Sequence, residues 1–314
     1  MIPLIWYEAI GFVLGLLFGS FLNVCISRLP KRESIVRPSS HCPNCGVAIR
    51  WYDNVPLISW FLLRRRCRDC RQFISIQYPA VELLTGIWFL LAGARIFQLH
   101  LSNSLGLGQP NTSPWMTGYL DVCSIAILGF LLIGLMVMDW QTMLLPDAFT
   151  LTGISIGLFL ICSQAIFLGP NDDQVLLTKH SLHLTSPGGV TDNGNVFLTG
   201  PESLILGRIA AICGVALLLL LIRWLYKAVR HREGMGLGDV KLLAMIAAFL
   251  GFWPAVLSLF FGTLGAAIYG AVLLTRGRAA ATSKLAFGSF LCVGGLIAAM
   301  YGNRLIDRYI ALLQ

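Results

Sequence analysis

Two aspartates, Asp139 and Asp239, stand where a carboxylate is costly, and as a pair they could activate water. Asp139 closes the apolar run Leu128–Met138. Asp239 lies in Gly234-Met-Gly-Leu-Gly-Asp-Val-Lys-Leu242, and another apolar stretch follows. An ionisable group within or beside a membrane helix marks a functional site by default. Two acids that meet can share a proton over one water molecule, the means by which aspartate pairs split peptide bonds. Gly236-Leu-Gly238-Asp239 also gives the backbone before the second acid unusual freedom and lets a substrate chain approach closely. The bland alternatives are that Asp139 terminates its helix at the interface and that Asp239 caps the next one.

A second constellation has metal-ligand spacing. Cys42-Pro-Asn-Cys45 and Cys67-Arg-Asp-Cys70 form two CxxC pairs separated by 21 residues. Each pair can place two thiolates on one tetrahedral Zn²⁺, although the gap is slightly longer than usual. Four thiolates close the coordination shell and leave no position for a catalytic water, so the expected zinc is structural and folds the segment around it. The other five cysteines lie in apolar runs and read as inert filler.

Several other residues carry a weaker signal. Asp147 follows Pro146 and is ordinary chemistry for a helix start. Lys241 reads as a snorkelling cation. Arg64-Arg65-Arg66 is a basic turn or a lipid contact. His180 and His183 have metal-like spacing but sit in a polar loop, and they read as solvated.

The elements that must position these groups are membrane helices. The chain of 314 residues is 56% hydrophobic and only 12% charged, about half the charge of a soluble protein. About eight apolar helices are expected, at roughly 3–27, 80–99, 119–139, 146–168, 203–226, 239–253, 255–275 and 285–303. The segment 239–253 is short for a span and could be tilted or half-inserted. The fold class is therefore an all-α polytopic membrane protein with a small cytoplasmic zinc-binding insert at about 28–79. The first segment lacks a basic leader region and reads as a retained helix. A polar loop at 169–202 and a connector at 100–118 face the other way, and the loop could hold a short hairpin near Val196–Leu198.

With the N-terminus outside, 18 of the 23 Lys and Arg fall on the cytoplasmic side or flank it. This positive-inside asymmetry explains the formal net charge of +8 without a nucleic-acid partner. The same topology brings Asp139 and Asp239, 100 residues apart, to the cytoplasmic ends of their helices. A transporter or channel using both acids as ligands is the main competing class, but acids at one face rather than along a pathway disfavour conduction. A membrane-tethered zinc module is a third class, and it leaves both aspartates unexplained.

Together these residues resemble the bacterial type 4 prepilin leader peptidases, membrane aspartic proteases of the GxGD type. Gly19-Ser-Phe-Leu-Asn-Val-Cys-Ile-Ser-Arg-Leu-Pro30 is similar to the family's first-helix signature. HCPNCGVAIRWYDNVPLISW (41–60), CRDC and YPAVELLTG (78–86) are similar to its cytoplasmic domain. Asp139, eight residues before Asp147 of the Leu-Pro-Asp element, matches the first catalytic aspartate, and Asp239 matches the acid of GxGD. The resemblance implies a first transmembrane helix at 1–27, a zinc domain at 28–79 and a membrane aspartic peptidase domain at 80–314. It implies cleavage of the basic leader from type IV prepilins and type II secretion pseudopilins, which carry apolar N-terminal helices. The site is the cytoplasmic face of the bacterial inner membrane, within membrane lipid. It also implies N-methylation of the new terminus with S-adenosylmethionine, to which Tyr78 and Glu82 could contribute. The chain departs from the family's pattern at Arg65, where a glycine is common, and at Gln77, where an arginine is common.

Overall fold

The computed structural model describes residues 4–104, 114–168, 201–230, 236–276 and 285–313. The polar loop with His180, His183 and the expected hairpin lies outside them. Among the described residues the chain is helical, with two isolated β-bridges and no strand. The helices are α1 (Leu4–Arg28), a short α2 (Ile58–Leu62), α3 (Gln77–Ser104), α4 (Pro114–Thr142) and α5 (Asp147–Leu168). They continue as α6 (Pro201–Arg230), α7 (Leu237–Leu250), α8 (Phe252–Thr275) and α9 (Phe287–Leu313).

Seven of these are long and apolar enough to cross a membrane, namely all except α2 and α7. The protein is a multi-pass membrane protein. The eighth expected span is α7, whose 14 residues reach only about 21 Å, short of a hydrocarbon core of about 30 Å. Its uniform apolarity has another cause: Asp239, Val240 and Leu242–Phe249 are all buried. Helices α4, α5, α6, α8 and α9 pack around it, so α7 is the central post of the bundle. Gly251, in the left-handed region at φ 90°, turns the chain directly into α8.

Helix α1 lies along α3 on a stripe of Gly11, Gly15 and Gly19. A Cβ at Gly15 would come within 2.6 Å of Thr85 O, and one at Gly19 within 2.7 Å of the Glu82 Cα. In lipid, where apolar burial drives little association, such close backbone contact is what holds helices together. It fixes α1 against the start of α3, where the insert is attached.

The insert consists of two matching knuckles. In the first, Cys42 N–H donates to Val47 O and Gly46 N–H to Cys42 O. In the second, Cys67 N–H donates to Gln72 O and Arg71 N–H to Cys67 O. Gly46 at φ 70° and Arg71 at φ 61° occupy equivalent left-handed positions. Asp53 clamps Arg68 with two hydrogen bonds of 2.8 and 2.5 Å, tying the connecting segment to the second knuckle. The guanidinium holds the Asp53 carboxyl below its ordinary range.

Candidate active site and metal centre

Asp139 sits three residues before the end of α4, and Asp239 sits in the first turn of α7. Both are buried, at 5% and 8% exposure. They are close enough to interact electrostatically, and fully buried Cys292 of α9 feels the charge of both. The structure therefore brings together the two acids that the sequence separates by 100 residues.

Each carboxylate is held by one oxygen at a helix start. Asp239 Oδ2 accepts the Gly236 N–H at 3.3 Å, reaching back from the third position of α7 as the acidic half of a capping box does. Asp139 Oδ2 accepts the Ser289 N–H at 2.6 Å, and Ser289 is in the first turn of α9. Both acids thus answer free donors at helix N-termini, where negative charge is favoured. No hydrogen bond from a described residue falls on either Oδ1.

The Ser289 hydroxyl adds a second contact. Its Oγ lies 2.9 Å from Asp139 Oδ2 and 3.0 Å from Met136 O. With Asp139 ionised, the hydroxyl donates to the carboxylate. With Asp139 protonated on Oδ2, it accepts that proton's hydrogen bond and donates to Met136 O. One side chain therefore satisfies both protonation states of the acid.

The glycines next to the two acids share one neighbouring side chain. A Cβ at Gly288 would lie 3.0 Å from Asp139 Cγ and 3.1 Å from Leu145 Cδ1. A Cβ at Gly238 would lie 3.2 Å from that same Leu145 Cδ1. The tip of Leu145 is thus wedged between the glycine beside one acid and the glycine against the other. Asp147 is paired with Lys241 Nζ at 2.6 Å. Lys241 is therefore a tie between the starts of α5 and α7 rather than only a snorkelling cation. Sequence reasoning missed Gly288, Ser289 and Leu145. Gly-Ser at a helix start was the one available signal, and it is common elsewhere.

The four cysteines converge. The sulfurs of Cys42, Cys45, Cys67 and Cys70 lie within 4.8 Å of one another, and those of Cys42 and Cys70 are 3.7 Å apart. A tetrahedral site with metal–sulfur bonds of about 2.3 Å has edges of about 3.8 Å. The geometry and the donor set fit one metal ion. Within the cluster the Cys70 thiol is lowered to about 6, first by the Gln72 backbone N–H and then by the Asn44 side chain. Cys45, against the lowering effect of the Val47 backbone, is raised to about 11 by burial and the Cys42 and Cys70 sulfurs, so Cys70 is the cysteine that most readily supplies a thiolate.

Comparison with known proteins gives this arrangement its class. Residues 13–96 match the bacterial peptidase A24 N-terminal domain, and residues 188–271 match the type IV leader peptidase family. Asp239 lies inside the second match, whereas Asp139 falls between the two. The chain is 35% identical to a prepilin leader peptidase/N-methyltransferase of Pectobacterium carotovorum subsp. carotovorum, over 94% of this chain and 93% of that one. It is 31% identical to one from Xanthomonas campestris pv. campestris and 30% to one from Stutzerimonas stutzeri, each over 95% of this chain and 92% of the relative. The chain belongs to the type IV leader peptidase family. No solved structure matches it.

Proposed function

We propose that this protein cleaves the basic leader from type IV prepilins and type II secretion pseudopilins at the cytoplasmic face of a bacterial inner membrane. In this reading Asp139 and Asp239 are the catalytic pair, and S-adenosylmethionine then serves to methylate the new N-terminus. The observation that carries it is the convergence of two buried acids, each fixed through Oδ2. The remaining oxygens are left for one water and one scissile carbonyl.

One acid, ionised, takes a proton from the water as its oxygen attacks the carbonyl carbon. The other, protonated, donates a hydrogen bond to the carbonyl oxygen and stabilises the charge that develops there. Collapse breaks the C–N bond, and the proton taken from water passes to the leaving nitrogen. The Ser289 hydroxyl can follow Asp139 through both states. Four cysteine thiolates would hold Zn²⁺ as a fully ligated fold support without chemistry of its own. The substrate's apolar helix would dock among the spans, with its leader beside the insert.

The test is mass spectrometry of a purified prepilin incubated with the protein and with Asp139→Asn or Asp239→Asn, each with and without S-adenosylmethionine. Both variants should insert normally and lose leader cleavage by at least about a thousandfold. Full cleavage by either would end the proposal of a pair.

A further inference from the structure

We infer that the insert rests on the membrane its neighbouring helices span, laying one face of α2 into the headgroup boundary and a run of arginines against anionic lipid. Helix α2 (Ile58–Leu62) lies outside the seven spans, yet it carries three large apolar side chains in the open. Ile58, Phe61 and Leu62 are 57%, 67% and 77% exposed. Their spacing of three and four residues puts them on one face of the helix. Ser59 is buried, and its Oγ accepts the Val55 N–H at 3.0 Å and donates to Tyr52 O at 3.1 Å. Turning the apolar face inward would break that anchor.

The depth of α2 matches a lipid boundary. The N–H of Leu57, just ahead of the helix, donates to Glu82 Oε2 at 2.8 Å. Glu82 is five residues into α3, about 7.5 Å along its axis. It is packed against α1, where a Cβ on Gly19 would come within 2.7 Å of its Cα. At the foot of α3, Gln77 accepts a hydrogen bond from Gln141, two residues beyond Asp139. α2 therefore starts near the depth of the two acids, at the rim of the bilayer, and its apolar face has lipid within reach.

The sign of the charge selects the lipid. α2 runs into Arg64-Arg65-Arg66, all exposed. Residues 50–71 hold six arginines against two aspartates, and one of those, Asp53, is already bound to Arg68. Arg64 and Arg65 are both left-handed, at φ 51° and 63°, a conformation that persists only where the surrounding structure imposes it. Backbone bonds from Arg64 N–H to Phe61 O, Arg65 N–H to Trp60 O and Arg66 N–H to Leu63 O impose it here. Arg65 and Arg66 lie over the Trp60 and Phe73 rings, at 5.5 and 4.7 Å, which steadies both cations without neutralising them. Apolar side chains on one helix face with cations directly behind them are the composition of an interfacial anchor. Each arginine held there gains from a negative surface potential. A second copy of the chain would set arginine against arginine, so this patch favours lipid over self-association.

The experiment places the full, metal-loaded chain in nanodiscs of phosphatidylcholine alone or mixed with phosphatidylglycerol, and reads amide exchange over 57–66 by mass spectrometry. At low salt, exchange should be roughly tenfold slower in the mixture, and the difference should shrink as salt screens the charges. Arg64→Gln/Arg66→Gln should abolish the difference between the two lipids. Phe61→Ser/Leu62→Ser should leave the segment exchanging fast in both. Unchanged exchange over the knuckle at 42–47 shows that each variant is folded. In the otherwise unaltered chain, a photoreactive benzoylphenylalanine in place of Phe61 should label lipid acyl chains. Equal exchange of the unaltered chain in the two membranes overturns the anionic contact. Labelling of a second copy, read as a cross-linked dimer, or of no lipid at all, overturns the docking. Leader cleavage enters none of these readouts, so the outcome is independent of what the two acids do.

Discussion

At the scale of single residues, the two acids proposed to act are legible because each contradicts its surroundings. A carboxylate at the end of an eleven-residue apolar run is rarely tolerated without a function. What holds them is not legible. Ser289 lies 150 residues from Asp139 and looks like any helix-start serine, yet it meets the acid through both N–H and hydroxyl. Ser289→Ala keeps the backbone donor and removes the hydroxyl that follows the acid's proton. We expect kcat for leader cleavage to fall roughly tenfold, with KM unchanged and restored by Ser289→Thr. A loss expressed only in KM would remove the hydroxyl from the mechanism. Gly288→Ala acts by displacement. Its methyl would sit 3.0 Å from Asp139 Cγ, with Leu145 on its other side. Because misplacing a reacting group by about 1 Å can cost a hundredfold, cleavage should fall by about that factor while the protein still inserts.

At the scale of elements, periodicity finds the seven spans and cannot interpret α7. An apolar run of 14 residues fits a half-span and a buried post equally well, and burial on all sides depends on where the other helices go. The insert shows how far a departure at one position can be explained. Arg71 takes the left-handed position that Gly46 fills in the matching knuckle, and Arg65 is left-handed as well, at φ 63°. A side chain in that region costs about 1 kcal/mol. Arg65 has a compensating role, since its guanidinium lies 5.5 Å from the centre of the Trp60 ring. Among the described contacts nothing comparable holds Arg71. Arg71→Gly should therefore raise the stability of the metal-loaded insert by about 0.5–1 kcal/mol, read as slower release of zinc to a chelator. Faster release would mean that the Arg71 side chain contributes a contact worth more than its strain. In the helix pair α1–α3, Gly15→Ala should instead destabilise by about 1–3 kcal/mol. Its methyl would meet the Thr85 carbonyl, which cannot move without shifting α3. Thermal unfolding in detergent reads that loss.

At the scale of the whole molecule, the proposed peptidase site and the insert use different parts of the chain. The acids and their holders come from α4, α7 and α9, with Leu145 ahead of α5, and none from the insert. The insert is a separate unit, whose four clustered cysteines could hold one metal ion. Direct links join the parts: Leu57 to Glu82, the Arg28 guanidinium at the end of α1 to the Ser34 and Ser39 carbonyls, and Gln141 to Gln77 at the foot of α3. If a metal orders the insert, removing it should release the insert while the bundle keeps its acids in place, because the glycine contacts of α1 with α3 do not involve the insert. In Cys67→Ser/Cys70→Ser, or after stripping with a strong chelator, methyl gain on the new terminus should disappear. Leader loss should persist at a reduced rate, weakened only by the lost platform for the basic leader. Mass spectrometry reports both products from one reaction. Parallel loss of the two activities at every level of bound metal would show that the insert also positions the acids, with the Gln77–Gln141 contact as the path by which it does so.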